Sequence, residues 1–175
     1  MVRGNDSEFA ELRVFGDNLR RARTRAKLTQ VQLSMTAPFD RAAISRVEHG
    51  ERAPDLPTLL RLSRALDVKP TDLLRGLGPA NSPRRAPTHD KSVKDDPAGM
   101  FGANLRWARN RAKISQERLA LDADVDRAAI SVYENGGREP NLRTVLKLAR
   151  RLEVRPALLL QGISWQSNGR PGRRH

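Results

Sequence analysis

LTQVQLSMTAPFDRAAISRVEHGERAPDLPTLLRLSRALDV, residues 28–68, returns as ISQERLALDADVDRAAISVYENGGREPNLRTVLKLARRLEV, residues 114–154. The correspondence extends outward without a gap over 15–76 and 101–162, at a constant shift of 86, with 34 of 62 pairs identical. Chance would supply only a few identities, so the chain carries a duplication. Two copies are too few, and each is too self-contained, for a solenoid.

Within the first copy the apolar residues Phe15, Leu19, Ala22 and Ala26 recur at steps of three and four, a helical period. Thr29 is placed to cap a short second helix running through Leu33, and Ala37-Pro38-Phe39 breaks it. Asp40 opens a third helix, Arg41 to about His49, with Ile44 and Val47 inward and Gly50 as its stop. Asp55 caps a fourth, with Leu59, Leu60, Leu62 and Leu66 toward the core and Pro57 in its first turn. Pro70 starts a fifth that ends near Leu74. The second copy repeats the plan through Ser115, Asp126, Asn141 and Pro156. The expected fold is all-α: two five-helix domains, 9–77 and 101–163, joined by a flexible linker at 78–100 that is rich in Pro and charge. Residues 164–175 are expected to be a basic disordered tail. Phe9, Leu12 and Trp165 are apolar residues near the ends, expected to pack onto their own domain rather than to serve self-association.

The net charge of +13 suits a nucleic-acid partner, and also an anionic membrane surface. No apolar run is long enough to span a membrane, and MVRGNDSEF lacks the apolar stretch of a secretory signal. Membrane attachment is therefore not expected, and the expected location is cytoplasmic and nucleoid-associated. With no cysteine and three scattered histidines, disulfides and thiolate metal sites are excluded and no metal-ligand spacing is present. Asp122, Asp124 and Asp126 imitate the start of a calcium loop, but Arg127 stands at its sixth position and Tyr133 at its twelfth. The sequence has no nucleophile–base constellation and no Gly-rich phosphate loop. An enzyme is not expected, nor a cofactor or a small-molecule ligand.

The two quoted stretches resemble the Cro- and lambda-repressor-like (XRE-like) helix-turn-helix domains, over some forty aligned positions per copy. The resemblance implies that the third helix enters the major groove while the second lies across the phosphate backbone. Base contacts are then expected from Arg41, Ala42, Ser45 and Arg46, and from Arg127, Ala128, Ser131 and Val132. Arg41 and Arg127 could each fork onto a guanine, and the alanines could meet thymine methyl groups. A solvated or phosphate-bound arginine is the plain alternative for both. Arg46 against Val132 is the one difference on this face, so related but unequal half-sites are expected.

Phosphate contacts are expected from Thr29, Gln30 and Arg52, and from Ser115, Gln116 and Arg138. Arg23 with Glu48 and Arg109 with Glu134 match a structural ion pair of the family between helices one and three. The turn before the third helix departs from the family pattern: Pro38 and Asp124 stand where glycine is usual, so an altered turn is expected. Asp122 and Asp124 lie where phosphates would pass and are expected to weaken the second domain's binding.

The expected activity is that of a transcriptional regulator, a repressor by family habit, binding double-stranded DNA as a monomeric pseudo-dimer or as a homodimer. The linker, with a reach of about 25–29 Å as a flexible coil, is adequate for half-sites about 34–36 Å apart but fixes neither inverted nor direct orientation. An antitoxin or adaptor that binds a protein partner, and an architectural or partition DNA binder, are the alternatives.

Overall fold

The structure, a computed structural model, describes residues 4–83, 85–86 and 96–163. Among them ten helices follow one another. The first copy holds α1 (Gly4–Arg25), α2 (Gln30–Thr36), α3 (Arg41–Glu48), α4 (Leu56–Ala65) and α5 (Pro70–Leu73). The second holds α6 (Pro97–Arg111), α7 (Gln116–Ala123), α8 (Arg127–Glu134), α9 (Leu142–Arg151) and α10 (Pro156–Leu159). The fold is all-α, five helices per copy, as the periodicity requires.

The predicted caps are in place. Thr29 accepts from Gln32 N while the Gln32 side chain returns a bond to Thr29 N, a capping box. Asp40, Asp55, Ser115, Asp126 and Asn141 each accept a backbone N–H from the first turn of their helix. Each cap of this kind contributes about 1 kcal/mol, which matters for helices of seven to ten residues that would not form alone. Two boundaries differ from expectation. Helix α2 runs three residues past Leu33, and α1 ends at Arg25, leaving Ala26 exposed.

Phe15, Leu19, Leu33, Ile44, Val47, Leu59 and Leu62 form the centre of the first domain, all fully buried. Phe101, Leu105, Leu119, Ile130 and Leu148 do so in the second, where Tyr133 fills the place of Val47 and meets Phe101 edge-on at 6.1 Å. Each such aliphatic residue stabilises by about 1.5–3 kcal/mol. Close approach of the first and third helices depends on glycine. A Cβ on Gly16 would lie 2.5 Å from the Glu48 carbonyl oxygen, and one on Gly102 would lie 2.3 Å from that of Tyr133. That approach is what brings Arg23 and Arg109 onto the buried glutamates of α3 and α8.

The two domains are packed together. Leu56 N donates to Pro140 O at 3.1 Å, and Leu142 N donates to Pro54 O at 2.8 Å, around an antiparallel bridge of Asp55 and Asn141. The shift of 86 exchanges the two bonds, so the contact is self-complementary about a local two-fold axis. The sequence left the relative orientation open; this backbone pairing closes it. The extended start of α1 adds ion pairs to α9, Glu8 with Arg143 at 2.8 Å and Glu11 with Arg150.

The domain limits read from the sequence need correction at two places. Helix α1 begins at Gly4 rather than near residue 9, and α6 at Pro97 rather than 101. The segment expected to be a flexible linker from residue 78 is packed on the second domain at its start. Ala86 is buried, Ser82 Oγ accepts from Arg155 N at 2.8 Å, and Ala86 N donates to Gln161 Oε1 at 2.7 Å. Residues 79–82 form a turn, with Ser82 N donating to Pro79 O at 3.3 Å, something composition alone does not reveal. Of the terminal residues, Leu12 is buried as expected, while Phe9 is 48% exposed beneath the Arg13 guanidinium. Residues 87–95, the tail from Ser164 and Trp165 within it lie outside the described residues.

Candidate nucleic-acid interface

The caps Asp40 and Asp126 set the start of α3 and α8, and so place Arg41 and Arg127 at the first helical position of each. Helical geometry then sorts the side chains. Ala43, Ile44, Val47 and Glu48 turn inward in α3, leaving Arg41, Ala42 and Arg46 exposed and Ser45 partly so. In α8, Ile130, Tyr133 and Glu134 are buried, leaving Arg127, Ala128 and Val132 exposed and Ser131 partly so. All eight residues expected at base edges are thus collected on the outward faces of these two helices.

Beneath each face lies one ion pair. Arg23 donates to Glu48 through Nε at 2.6 Å and Nη2 at 3.0 Å, and Arg109 to Glu134 at 2.6 and 2.9 Å. Both glutamate side chains are 1% exposed. Burial pushes the Glu48 carboxyl up, but the hydrogen bonds from Arg23 and Gln30 and the charges of Arg23 and Arg20 outweigh it and hold it below the usual carboxylate range. The pairs clamp α1 to α3 and α6 to α8, a fold-holding role.

The phosphate candidates divide. Thr29 and Ser115 are exposed but occupied as caps. Gln30 Nε2 donates to Glu48 Oε2 at 2.9 Å, and Gln116 Nε2 to Glu134 Oε2 at 2.8 Å. Their side-chain donors thus serve the buried carboxylates, and what the helix starts offer an anion is their first backbone N–H groups. Arg52 is exposed and stacks over Phe39, 5.4 Å from the ring centroid, which aims it; Arg138 is exposed with Val125 in the place of Phe39.

The altered turns are resolved differently in the two copies. Asp124 takes the left-handed conformation at φ 51°, where glycine would be at ease. Pro38 cannot, its ring holding φ negative, so α2 stops a residue earlier than α7 and Ala37 is its cap. Asp122 is held by Arg118 and Arg151, and Asp124 by Lys147 at 2.8 Å. Both acids are therefore largely neutralised by α7 and α9 instead of confronting phosphate alone.

Three functional features escaped sequence reasoning. Arg127 is bound by Glu117, Nε to Oε1 at 2.7 Å, a pairing across the turn that no periodicity signals. Its only trace is that Val31 occupies the matching position of the first copy. Asn18 and Asn104 each donate to two carbonyl oxygens at the end of the fifth helix of their copy, Leu73 and Arg75 in one, Leu159 and Gln161 in the other. Finally, Pro54 and Pro140 carry the interdomain backbone bonds. Their identity in both copies was visible, their partner was not.

Among the described residues no group of three or more His, Cys, Asp or Glu is placed to hold a metal ion, and no helix is long and apolar enough to cross a membrane.

Comparison with known proteins places these features in a family. A helix-turn-helix family model matches twice, at residues 19–73 and 105–159. The chain is 35% identical over 65 residues to the HTH-type transcriptional regulator YqaE of Bacillus subtilis, covering 37% of this chain and 56% of that protein. It is 35% identical over 69 residues to Repressor protein C2 of Salmonella phage P22 (39% and 32%), and 37% identical over 62 residues to Control protein C.BamHI of Bacillus amyloliquefaciens (35% and 76%). The matched region is thus about half of YqaE and a third of the phage repressor. Among solved structures it is similar to the restriction-modification controller protein C.AhdI of Aeromonas hydrophila, 39% identical over 37% of this chain and 97% of that one, with a TM-score of 0.36. With both copies matched, over more than half its length, the chain belongs to the XRE-like helix-turn-helix family and carries the domain twice.

Proposed function

We propose that this protein is a sequence-specific regulator of transcription, acting as a repressor, which binds double-stranded DNA as a covalent pseudo-dimer and reads a two-part operator of inverted half-sites. The observation that carries the orientation is the exchange-symmetric backbone pairing of Pro54 and Leu56 with Pro140 and Leu142. A two-fold relating the domains also relates α3 to α8, and duplex DNA presents the same symmetry only at an inverted repeat. Arg41 and Arg127 are the guanine readers, with Ala42, Ser45, Arg46, Ala128, Ser131 and Val132 completing the two faces. Arg52, Arg138 and the starts of α2 and α7 meet phosphates.

Tethering makes the second contact intramolecular, at an effective concentration in the millimolar range for a short connection. Domain packing adds pre-organisation to that, because the half-site geometry is set before DNA arrives. The test is selection of bound duplexes from a random library. The expected product is two related boxes, inverted, at one fixed spacing. Direct repeats, or a single box, would overturn the inverted pseudo-dimer.

A further inference from the structure

We propose that Glu117 is a specificity-determining residue of the second domain: by holding Arg127 along one edge, it makes that domain read guanine more strictly and grip DNA more weakly than the first. The proposal deepens the function assigned above and rests on it.

The reading faces themselves are nearly the same. Arg-Ala-Ala-Ile-Ser occupies 41–45 and 127–131 alike. What differs is the neighbour. Glu117, the second residue of α7, accepts from Arg127 Nε at 2.7 Å, with Nη2 2.6 Å from the same oxygen. In the first copy Val31 stands there, 42% exposed, and Arg41 makes no hydrogen bond or ion pair among the described residues.

A guanidinium has five N–H donors in a fixed plane. Glu117 takes the Nε hydrogen and stands against the same edge of Nη2, which leaves the end of the fork, Nη1 and the outer hydrogen of Nη2, facing away. Two parallel donors at that end fit the O6 and N7 acceptors of guanine. Adenine offers N7 beside an amino group, so one donor of a held fork would meet another donor. A free arginine escapes that clash by swinging to a phosphate, as Arg41 can; the held one cannot do so without breaking its bond to Glu117.

The same carboxylate has an electrostatic effect. It stands in the first turn of the helix whose N–H groups would draw a phosphate. Its charge offsets that of Arg127, and the pair together neutralises less phosphate than Arg41 alone. Counterion release, and with it the salt dependence of binding, scales with the phosphates neutralised.

The test uses the full chain with Glu117→Val, the side chain the first copy carries there, and Glu117→Asp. Binding is measured against the selected operator, operators with the guanine of either box replaced, and an unrelated duplex, each across a salt series. With Glu117→Val, affinity for unrelated DNA is expected to rise by up to about fivefold, the range of one exposed ion pair. The salt slope should steepen by about one. Discrimination against the replaced guanine should fall several-fold in the second box and stay as it was in the first. Glu117→Asp should keep part of that discrimination. The proposal is overturned if Glu117→Val leaves both the salt slope and the second-box discrimination at their wild-type values, or alters the two boxes equally. Arg127→Ala run in parallel separates the levels. If it is silent at the second box, Arg127 is no reader, and the function assigned above fails along with the proposal.

Discussion

Removing Arg23 isolates a buried charge, and its consequence can be worked out from the contacts. Glu48 accepts three hydrogen bonds, two from Arg23 and one from Gln30, and Arg20 stands 4.0 Å off with almost half its side chain exposed. Arg23 also donates to Leu28 O at 2.9 Å. In Arg23→Ala the carboxylate keeps only the Gln30 amide and a solvent-screened guanidinium. Breaking a buried pair by removing one partner costs about 3–5 kcal/mol. Domains of this size have total stabilities near the lower end of about 5–15 kcal/mol, so the first domain should lose half its stability or more. The cost depends on pH. Net, Glu48 titrates below its ordinary value near 4.5 in the folded chain. Its contribution is therefore complete above that value and lost as pH falls through the depressed one. Acid should narrow the gap between mutant and wild type. Urea unfolding of the full chain, followed by far-ultraviolet circular dichroism near neutral pH and again in acid, reads both effects. Arg23→Ala with Glu48→Leu should cost less than Arg23→Ala alone, since no buried charge is left behind. A single-mutant cost below about 1 kcal/mol, typical of an exposed pair, would refute the reasoning.

Further outcomes follow from other contacts. Asn104→Ala strips the donors from Leu159 O and Gln161 O, and should lower the second domain's stability by about 1–3 kcal/mol in a denaturant melt. Gly102→Ala drives a methyl to within 2.3 Å of Tyr133 O. It should destabilise by at least about 1–3 kcal/mol, although alanine is ordinarily the better helix former. Glu139 is raised by burial and by the charges of Asp55, across the domain interface, and Asp96. A carboxyl raised on folding favours the folded, paired form in acid and loses that advantage as pH rises through its shifted value. Glu139→Gln should therefore flatten the pH profile of the melting temperature above about 4.5, and an unchanged profile would contradict the assignment.

What the sequence made legible was whatever repeats locally. Helix starts were readable because Thr29, Asp40, Asp55 and their mates cap through bonds that span only two or three residues. The reading faces were readable because a capped helix fixes which residues turn inward. Long-range pairings were not readable. Glu117 reaches Arg127 across a turn, Gln30 reaches Glu48 from another helix, and Ser82 meets Arg155 across the domain boundary. Composition misled for residues 78–83 because prolines and small residues suit a packed turn as well as a free linker. The two-fold arrangement lay hidden for a related reason. Its bonds are made by backbone groups of Pro54, Leu56, Pro140 and Leu142, which any residues present, so side-chain identity carries no mark of it.

Duplex selection repeated with Arg41→Ala and Arg127→Ala tests the central claim most directly. Each loss should remove guanine information from a different box and cost about 1–3 kcal/mol of discrimination there, while spacing and inverted orientation persist in both. If Arg127→Ala leaves the motif unchanged, or both mutants erode the same box, the chain does not read DNA as two halves of one pseudo-dimer.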